Sequence, residues 1–484
     1  MKLSLLYKAL SSADKPFRGD PEVTGITLDS RRVRPGFIFI ALPGSGTDGF
    51  KFVGDAVARG AVAVVSEHSA GVPAPAVGLT VQDVRAAAGK LAAGFFRNPS
   101  AALKVSGITG TNGKTTTAYL LRAMLECGGM ASGMIGTIEY SIGARTIPAV
   151  RTTPDVVTLN QLLDEMRRAG CAAAVMEVSS HALDQHRVAG IRFTTAVFTN
   201  LSRDHMDYHR DRADYLKAKR RLFEIMASLK SGAAVINQDD AACNDLIAGL
   251  DLQPLFYRCE APADICAQNI SAGHEGSVFD LVTPWGKAQI RTAMAGRFNI
   301  YNILAAAAAA GVQGVPFDCI CKVAQGGVQV PGRMQPVETG NEFKVFVDYA
   351  HTDDALEKVL LALREITPGR VITVFGCGGA RDRGKRPAMG RVAAERADYS
   401  IVTSDNPRSE EPAAIIDEIT AGMAGGSYAV EPDRAKAIAQ ALEMAQPGDS
   451  VLIAGKGHER FQELAHTTIP FDDVQVVRSI CGKA

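Results

Sequence analysis

The chain has 484 residues, more than one hydrophobic core usually organises, so three domains are expected. Lysine plus arginine equals aspartate plus glutamate at 52 each, which removes any bulk electrostatic attraction to nucleic acid or an acidic membrane and puts selectivity into local sites. The nine cysteines are scattered, and the one close pair, Cys319 and Cys321, lacks a second pair at zinc spacing, so a reducing cytosol fits best.

In chain order, residues 1–7 are cut off by Lys8 too soon for a signal h-region, and no apolar run approaches a membrane span, so a soluble cytoplasmic chain is expected. Residues 1–102 hold no nucleotide motif but carry short strand and helix signals, including Phe37-Ile38-Phe39-Ile40-Ala41-Leu42 after the turn Pro35-Gly36, and read as a small α/β cap. Residues 103–332 alternate helical stretches with the runs Ala173-Ala174-Val175-Met176, Thr195-Ala196-Val197-Phe198 and Ala233-Ala234-Val235-Ile236. This alternation predicts a mostly parallel sheet with flanking helices. The alanine run from Ala305 to Ala310 predicts a tightly packed helix. Val330-Pro331-Gly332-Arg333 opposes either regular structure and reads as a hinge, followed by a third, Rossmann-like α/β domain over 333–484.

The most informative segment opens the central stretch. From Lys104 to Thr117 a short apolar strand runs into a glycine-rich turn, then a lysine and three threonines that begin a helix. Glycines let backbone N–H groups close on phosphate oxygens, the helix start adds its positive dipole end, Lys114 can reach terminal phosphates and Thr115 can ligate magnesium. The strict pattern G-x-x-x-x-G-K-T fails because position 108 is isoleucine. What remains, Gly110-x-x-Gly113-Lys114-Thr115, also describes an ordinary turn. The strand before it and the helix after it, with Ala118, Leu121, Met124 and Leu125 on one face, favour the phosphate loop.

Two further clusters follow strands: Met176-Glu177-Val178-Ser179-Ser180-His181, and the run from Thr199 to His209 that holds Asn200, Arg203, Asp204, His205 and Asp207. Carboxylate and imidazole groups there suit magnesium held against nucleotide phosphates. A lone histidine is more often structural, but His205 sits in an acid-rich turn beside a phosphate loop and is read as functional. In the third domain four apolar strands run straight into glycine or charged residues, at Asp348 to His351, Gly376 to Arg383, Asp405 to Arg408 and Gly455 to Glu459. Ligands in open parallel sheets sit beyond the carboxyl ends of the strands, so these loops are expected to converge on one crevice.

Taken together, Gly110-Thr-Asn-Gly-Lys-Thr115, Thr152-Thr153-Pro154-Asp155, Met176-Glu-Val-Ser-Ser-His-Ala-Leu183, Asn200-Leu-Ser-Arg-Asp-His205, Gly296-Arg-Phe-Asn-Ile-Tyr-Asn302 and Asp405-Asn-Pro-Arg408 resemble the Mur ligases of bacterial cell-wall synthesis. The resemblance spans all three domains, from Asp29-Ser30-Arg31 to Glu459. It departs at Asp48-Gly49-Phe50, where the family often has histidine last, and at His351-Thr352-Asp353, where a proline commonly follows the threonine.

The resemblance implies an ATP- and Mg2+-dependent ligase that adds meso-2,6-diaminopimelate to UDP-N-acetylmuramoyl-L-alanyl-D-glutamate through an acyl phosphate, a cytoplasmic monomer that binds neither nucleic acid nor membrane. By that resemblance residues 1–102 bind the UDP-substrate, 103–332 ATP and 333–484 the amino acid. Ser30 would contact the uridine diphosphate end, and Thr152, Thr153, Ser179, Gln185 and Arg187 the muramoyl dipeptide. Gly110, Thr111, Asn112, Gly113, Lys114, Thr115 and Thr116 would cradle ATP, with Asn299 near adenine and Arg333 reaching the phosphates. Thr115, Glu177 and His205 would serve magnesium. Arg381, Asp405, Asn406, Arg408, Gly455 and Glu459 would form the diaminopimelate pocket. Lys219 stands in a run of four basic residues, usually a solvated helix face. The resemblance implies instead that it is carbamylated and ligates magnesium, acting with Lys114, Glu177 and His205 in catalysis. The alternatives are an L-lysine-adding ligase of the same family, a folylpolyglutamate synthetase-like ligase and a non-catalytic nucleotide switch.

Overall fold

The β-branched runs of the central stretch form the strands Ala173–Glu177, Thr195–Phe198 and Ala233–Asn237, almost wholly buried, as strands covered on both faces must be. The computed structural model describes residues 1–10, 20–44, 47–68, 71–230, 232–273 and 276–482. Among these the central sheet has eleven strands. Its parallel core runs through Pro254–Cys259, Ala233–Asn237, Thr195–Phe198, Lys104–Thr109, Ala173–Glu177 and Ser132–Ile135. From Lys104–Thr109 the chain builds outward on one side, then returns to the other side at Thr195–Phe198. The strand order reverses there, which opens a crevice at the carboxyl ends.

The helix Lys114–Cys127 leaves that crevice and packs on helix Arg297–Gly311. Ala305 to Ala310 are all buried in the same cluster as Leu121, Met124 and Leu125. Their small side chains let the two helices and the sheet approach closely.

The N-terminal sheet is parallel, with Gly25–Thr27, Phe37–Ile40, Ala63–Ser66 and Val77–Thr80 in chain order. Its helix Val84–Phe95 shares a core with Val156 and Val157 of the central helix Val156–Arg168. Gly89 lies so close to the central stretch that an added Cβ would meet the Ala189 methyl at 2.5 Å. At Phe50, where the resemblance leads one to expect histidine, the ring packs on His68 at 4.1 Å between centroids, and His68 Nε2 is 3.1 Å from Asp48 Oδ2.

The C-terminal sheet runs Lys344–Asp348, Ser450–Ala454, Val371–Phe375, Tyr399–Val402 and Tyr428–Val430, all parallel, with Gln335–Val337 antiparallel on one edge. The four strands singled out in the sequence are therefore neighbours, and their following loops share one edge. Thr352 caps the helix Asp353–Ile366 through Ala355 N, so Asp353 stands at the first helical position, where an acidic side chain complements the helix dipole as well as a proline would fit its backbone. Residues 327–334 form no regular structure. Gly332, at φ +65°, is pressed against the 455–459 loop, and a Cβ there would lie 2.2 Å from His458 N. No helix among the described residues is long and apolar enough to cross a membrane.

Candidate active site

The glycine turn closes because its two tightest positions carry no side chain. Gly110 (φ +147°) would bring a Cβ within 1.9 Å of Thr199 Oγ1, and Gly113 (φ +85°) within 2.4 Å of Asn302 Oδ1. The turn is fastened to the segment after Phe198: Thr111 N donates to Asn200 O (2.9 Å), Asn112 N to Asn200 Oδ1 (2.9 Å), and Thr111 Oγ1 lies 3.2 Å from Tyr215 OH. Lys114 Nζ folds back onto Gly110 O and Thr111 O at 2.9 and 2.7 Å. Burial lowers its pKa, against the pull of Glu177 and Asp204. Thr116 is buried beside it.

Glu177 ends the neighbouring strand, and its buried carboxylate accepts from Thr115 Oγ1 (2.9 Å), Thr137 N (2.8 Å) and Thr137 Oγ1 (3.0 Å). His205 takes a left-handed backbone (φ +57°), its Nε2 3.5 Å from Asp204 Oδ2 and its ring edge-on to His181 at 4.7 Å. Burial, reinforced by Lys114 and Lys219 against the opposing Asp204, pushes the imidazole down to about 4, leaving a neutral ring able to ligate a metal. Among the described residues no group of three or more His, Cys, Asp or Glu is ready to hold a metal ion. The Thr115 hydroxyl and Glu177 carboxylate are nonetheless hard oxygen donors side by side, and magnesium takes few protein ligands because it keeps waters and phosphate oxygens.

Lys219 departs from the solvated-face expectation of its basic run. It is buried, donates to Gly110 O at 2.8 Å and sits over the Tyr215 ring at 4.2 Å, whereas Lys217 is exposed. Burial and the nearby Lys114 lower its pKa well below the usual lysine range.

Thr152 Oγ1 is 3.1 Å from Thr137 Oγ1, and Thr153 Oγ1 donates to Glu177 O (2.8 Å) while accepting from Ser179 N (3.1 Å). Ser179 caps the helix Ser180–Asp184 through Ala182 N. Arg187 donates to Gln185 Oε1 (2.7 Å) and Thr153 O (3.0 Å). Thr153, Ser179, Gln185 and Arg187 therefore form one bonded group beside Glu177, and Thr152 joins it through Thr137. Arg85 reaches it from the cap, donating to Pro43 O (2.6 Å) and Gln185 O (3.5 Å). Ser30 stands apart, buried in the 3-10 turn Ser30–Arg32 that Asp29 caps.

On the third sheet, Asn406 is the centre of a bonded cluster. Its Nδ2 donates to Glu459 Oε2 (2.8 Å), while its Oδ1 accepts from Lys456 Nζ (3.0 Å) and Glu463 N (3.0 Å). Burial raises the Glu459 carboxyl against the pull of Lys456. Gly455 (φ +111°) leaves room for Asp405, whose Oδ2 would be 2.7 Å from a Cβ there. Arg408 (φ +53°) donates to Gly379 O (2.9 Å) and pairs with Glu463 Oε2 at 2.6 Å. Arg381 is exposed, touching only as far as Ala380 O at 3.4 Å.

The two sheets meet around Arg333. Its Nη2 donates to Thr115 Oγ1 (3.3 Å), its guanidinium lies over the Tyr349 ring at 4.8 Å, and its Nε is buried without a hydrogen-bond partner among the described residues. Asp354 Oδ2, at the start of a C-terminal helix, accepts from Asn112 Nδ2 and Ser202 Oγ, both at 2.7 Å. A cavity of about 1220 Å³ between the sheets is lined by Gly113, Thr115, Asn299 and Arg333. Asn299 donates its amide to Ala295 O (2.8 Å), in the segment just before its helix. Sequence reasoning did not single out Thr137, Asp354, Lys456 or Glu463. Lys456 stands inside the chosen 455–459 loop, and the other three carry no local signal.

Comparison with known proteins covers the whole arrangement. Family models match in three blocks: "Mur ligase family, catalytic domain" over residues 22–96, "Mur ligase middle domain" over 108–310, and "Mur ligase, glutamate ligase domain" over 332–457. A protein of Solibacter usitatus named UDP-N-acetylmuramoyl-L-alanyl-D-glutamate--2,6-diaminopimelate ligase is 45% identical over 467 residues, covering 96% of this chain and 94% of that one. A protein of the same name from Geobacter metallireducens is 45% identical over 499 residues, covering 99% and 98%. A solved structure of a UDP-N-acetylmuramoyl-L-alanyl-D-glutamate--2,6-diaminopimelate ligase superimposes with a TM-score of 0.72 at 36% identity, covering 100% of this chain and 99% of that one.

Proposed function

The chain belongs to the Mur ligase family, and on that footing we propose how its own side chains carry the reaction of an ATP-dependent ligase that joins meso-2,6-diaminopimelate to UDP-N-acetylmuramoyl-L-alanyl-D-glutamate. The observation that best supports this reading is the convergence on one cleft of Lys114, Thr115 and Glu177 from the central sheet with Arg333 from the linker.

A carboxylate is a poor electrophile because its charge repels nucleophiles. The D-glutamyl carboxylate of the nucleotide substrate therefore attacks the γ-phosphorus of ATP, the bond to ADP breaks, and an acyl phosphate forms. The amino group of diaminopimelate then adds to the acyl carbon and loses a proton, and the tetrahedral adduct expels inorganic phosphate. The protein contributes positioning and charge neutralisation.

Residues Gly110 through Thr116 hold the phosphates with backbone N–H groups. Lys114, which spends its three donors partly on loop carbonyls, exchanges them for phosphate oxygens, and the unpartnered Arg333 Nε supplies a further donor beside Thr115. Magnesium, when bound, would draw charge from the transferring phosphoryl group, and Thr115, Glu177 and His205 suit it. The lowered pKa of Lys219 supports its carbamylation, since the neutral amine is the form that adds to carbon dioxide. The nitrogen–carbon bond forms, the nitrogen loses a proton, and the side chain becomes a carboxylate within the metal site.

Thr152, Thr153, Ser179, Gln185 and Arg187 bind the muramoyl dipeptide, and Ser30 with the rest of residues 1–102 takes the uridine diphosphate end. Asp405, Asn406, Arg408, Gly455 and Glu459, with Arg381, bind diaminopimelate on 333–484, while ATP stays on 103–332 beside Asn299. Nucleophile and acyl phosphate then meet only while the two domains are held together, as Asp354 and Arg333 hold them.

Incubation with ATP, magnesium, the UDP-linked muramoyl dipeptide and a panel of amino acids, with product identified by mass, tests this. The expected product is the tripeptide carrying meso-diaminopimelate, and equal use of L-lysine would overturn the assignment.

A further inference from the structure

Glu463 lies on the short strand Phe461–Glu463, which pairs with Thr468–Pro470 in a hairpin next to the Asp405-Asn406-Pro407-Arg408 loop. Three hydrogen bonds lock the two segments together. Glu463 N donates to Asn406 Oδ1 (3.0 Å), Arg408 N donates to Glu463 O (3.1 Å), and Gln462 Nε2 donates to Asp405 O (2.7 Å). Their side chains also meet, with Arg408 Nε 2.6 Å from Glu463 Oε2. The Arg408 guanidinium is fixed on its other edge by Gly379 O at 2.9 Å, and Gly378 leaves it space, since a Cβ there would lie 2.9 Å from Nη1. Arg408 is thus held in place by contacts independent of the Glu463 carboxylate. The Glu463 side chain, by contrast, is 37% exposed, more than the 26% of Arg408.

We propose that Glu463 is a specificity-determining residue: its carboxylate holds the Arg408 guanidinium until the distal carboxylate of meso-diaminopimelate displaces it. This rests on the assignment of Arg408 to that substrate carboxylate. An internal anion competes with the substrate's, so apparent affinity is reduced by the fraction of time Arg408 is engaged. The same competition sets the margin of discrimination and narrows it, because it weakens diaminopimelate and leaves L-lysine untouched. L-lysine has no distal carboxylate, leaves the internal pair intact, and gains nothing from Arg408. Diaminopimelate exchanges one carboxylate for another at the same guanidinium, and the released Glu463 regains water.

The test is steady-state kinetics of Glu463→Gln and Glu463→Ala with meso-diaminopimelate and L-lysine, beside the wild type, with thermal unfolding as a check on folding. Removing the competing charge is expected to lower KM for meso-diaminopimelate by about three- to fivefold, the size of a partly exposed ion pair, while KM for L-lysine stays within error. Glu463→Asp, which keeps the charge on a shorter arm, should fall between. An unchanged or raised KM for meso-diaminopimelate in both neutral variants, or an equal fall with L-lysine, would overturn the role of Glu463. A wild type that does not discriminate between the two amino acids would instead overturn the underlying assignment of Arg408.

Discussion

Lys114 and Lys219 donate to one acceptor, the carbonyl oxygen of Gly110, at 2.9 and 2.8 Å. Burial lowers the pKa of both amines, and the Lys114 cation pushes Lys219 down further.

A lowered amine pKa favours carbamylation, because the neutral form is the one that adds to carbon dioxide. Wild-type protein equilibrated with 13C-bicarbonate should show a carbamate carbon resonance that is lost in Lys219→Ala. That variant should also lose activity on the order of a hundredfold, as when metal-supporting groups are removed. Lys217→Ala, two residues away and exposed, should stay within about twofold of wild type because it projects to another side of the helix. Full activity in Lys219→Ala would end the carbamate reading.

Arg408→Ala should lose about a hundredfold or more in kcat/KM with meso-diaminopimelate, because the substrate's distal carboxylate then enters a protein site without its charged partner. It should gain little with L-lysine. The planar, bidentate guanidinium is the relevant feature, so Arg408→Lys should recover only part of the activity. An Arg408→Ala variant that turns over meso-diaminopimelate normally would remove Arg408 from the pocket.

Gly113 and Gly129 offer a controlled comparison. Both hold a left-handed backbone, at φ +85° and +80°, but a Cβ on Gly113 meets Asn302 Oδ1 at 2.4 Å whereas one on Gly129 meets nothing within 4 Å. Each alanine substitution should destabilise by about 1 kcal/mol or somewhat more through the backbone. Only Gly113→Ala should also weaken ATP binding, measured by titration with a fluorescent analogue. Equal nucleotide affinity in the two variants would mean that the close approach at Gly113 does not shape the phosphate cradle.

Stability should fall as pH drops from 6.5 toward 4. Burial pushes His181, His205, His351 and His458 down to about 4, so in that window the folded protein holds fewer protons than the unfolded chain, whose imidazoles titrate near 6.5. Protons then favour unfolding, and stability rises with pH across the window. Asp348 and Glu459, raised by burial, pull the other way, two acids against these four imidazoles and His209, which burial also lowers. Thermal midpoints measured from pH 7 to pH 5 should decline, and a flat profile would contradict the buried, neutral state of the histidines.

Elements with a local signature were legible in the sequence. Thr195–Phe198 has the bounds its β-branched run predicts, and the strand, glycine turn and helix from Lys104 to Cys127 stand where their residues predict them. The alanine run also packs as its composition suggests. Contacts between distant segments were not legible, because no local pattern encodes them. Lys219 looks like any member of a basic helix face until the fold brings it under Gly110, and Asp354 meets Asn112 across 242 positions. Glu463 shows the same limit: it follows a motif by only a few residues, yet its pairing with Arg408 depends on a hairpin register.

Arg333 touches Thr115 with one nitrogen and covers Tyr349 with its plane, and Tyr349 in turn stacks on His458 at 5.1 Å between centroids, one residue before Glu459. A continuous pile of side chains thus joins the glycine turn to the loop that carries Glu459. Thermodynamic reciprocity then applies: whatever factor nucleotide adds to amino-acid affinity through this pile, the amino acid must return to nucleotide affinity. Replacing Tyr349 with leucine, which keeps bulk but removes the aromatic face, would alter by one common factor the effect of nucleotide on amino-acid affinity and the effect of amino acid on nucleotide affinity, whatever it does to either affinity alone.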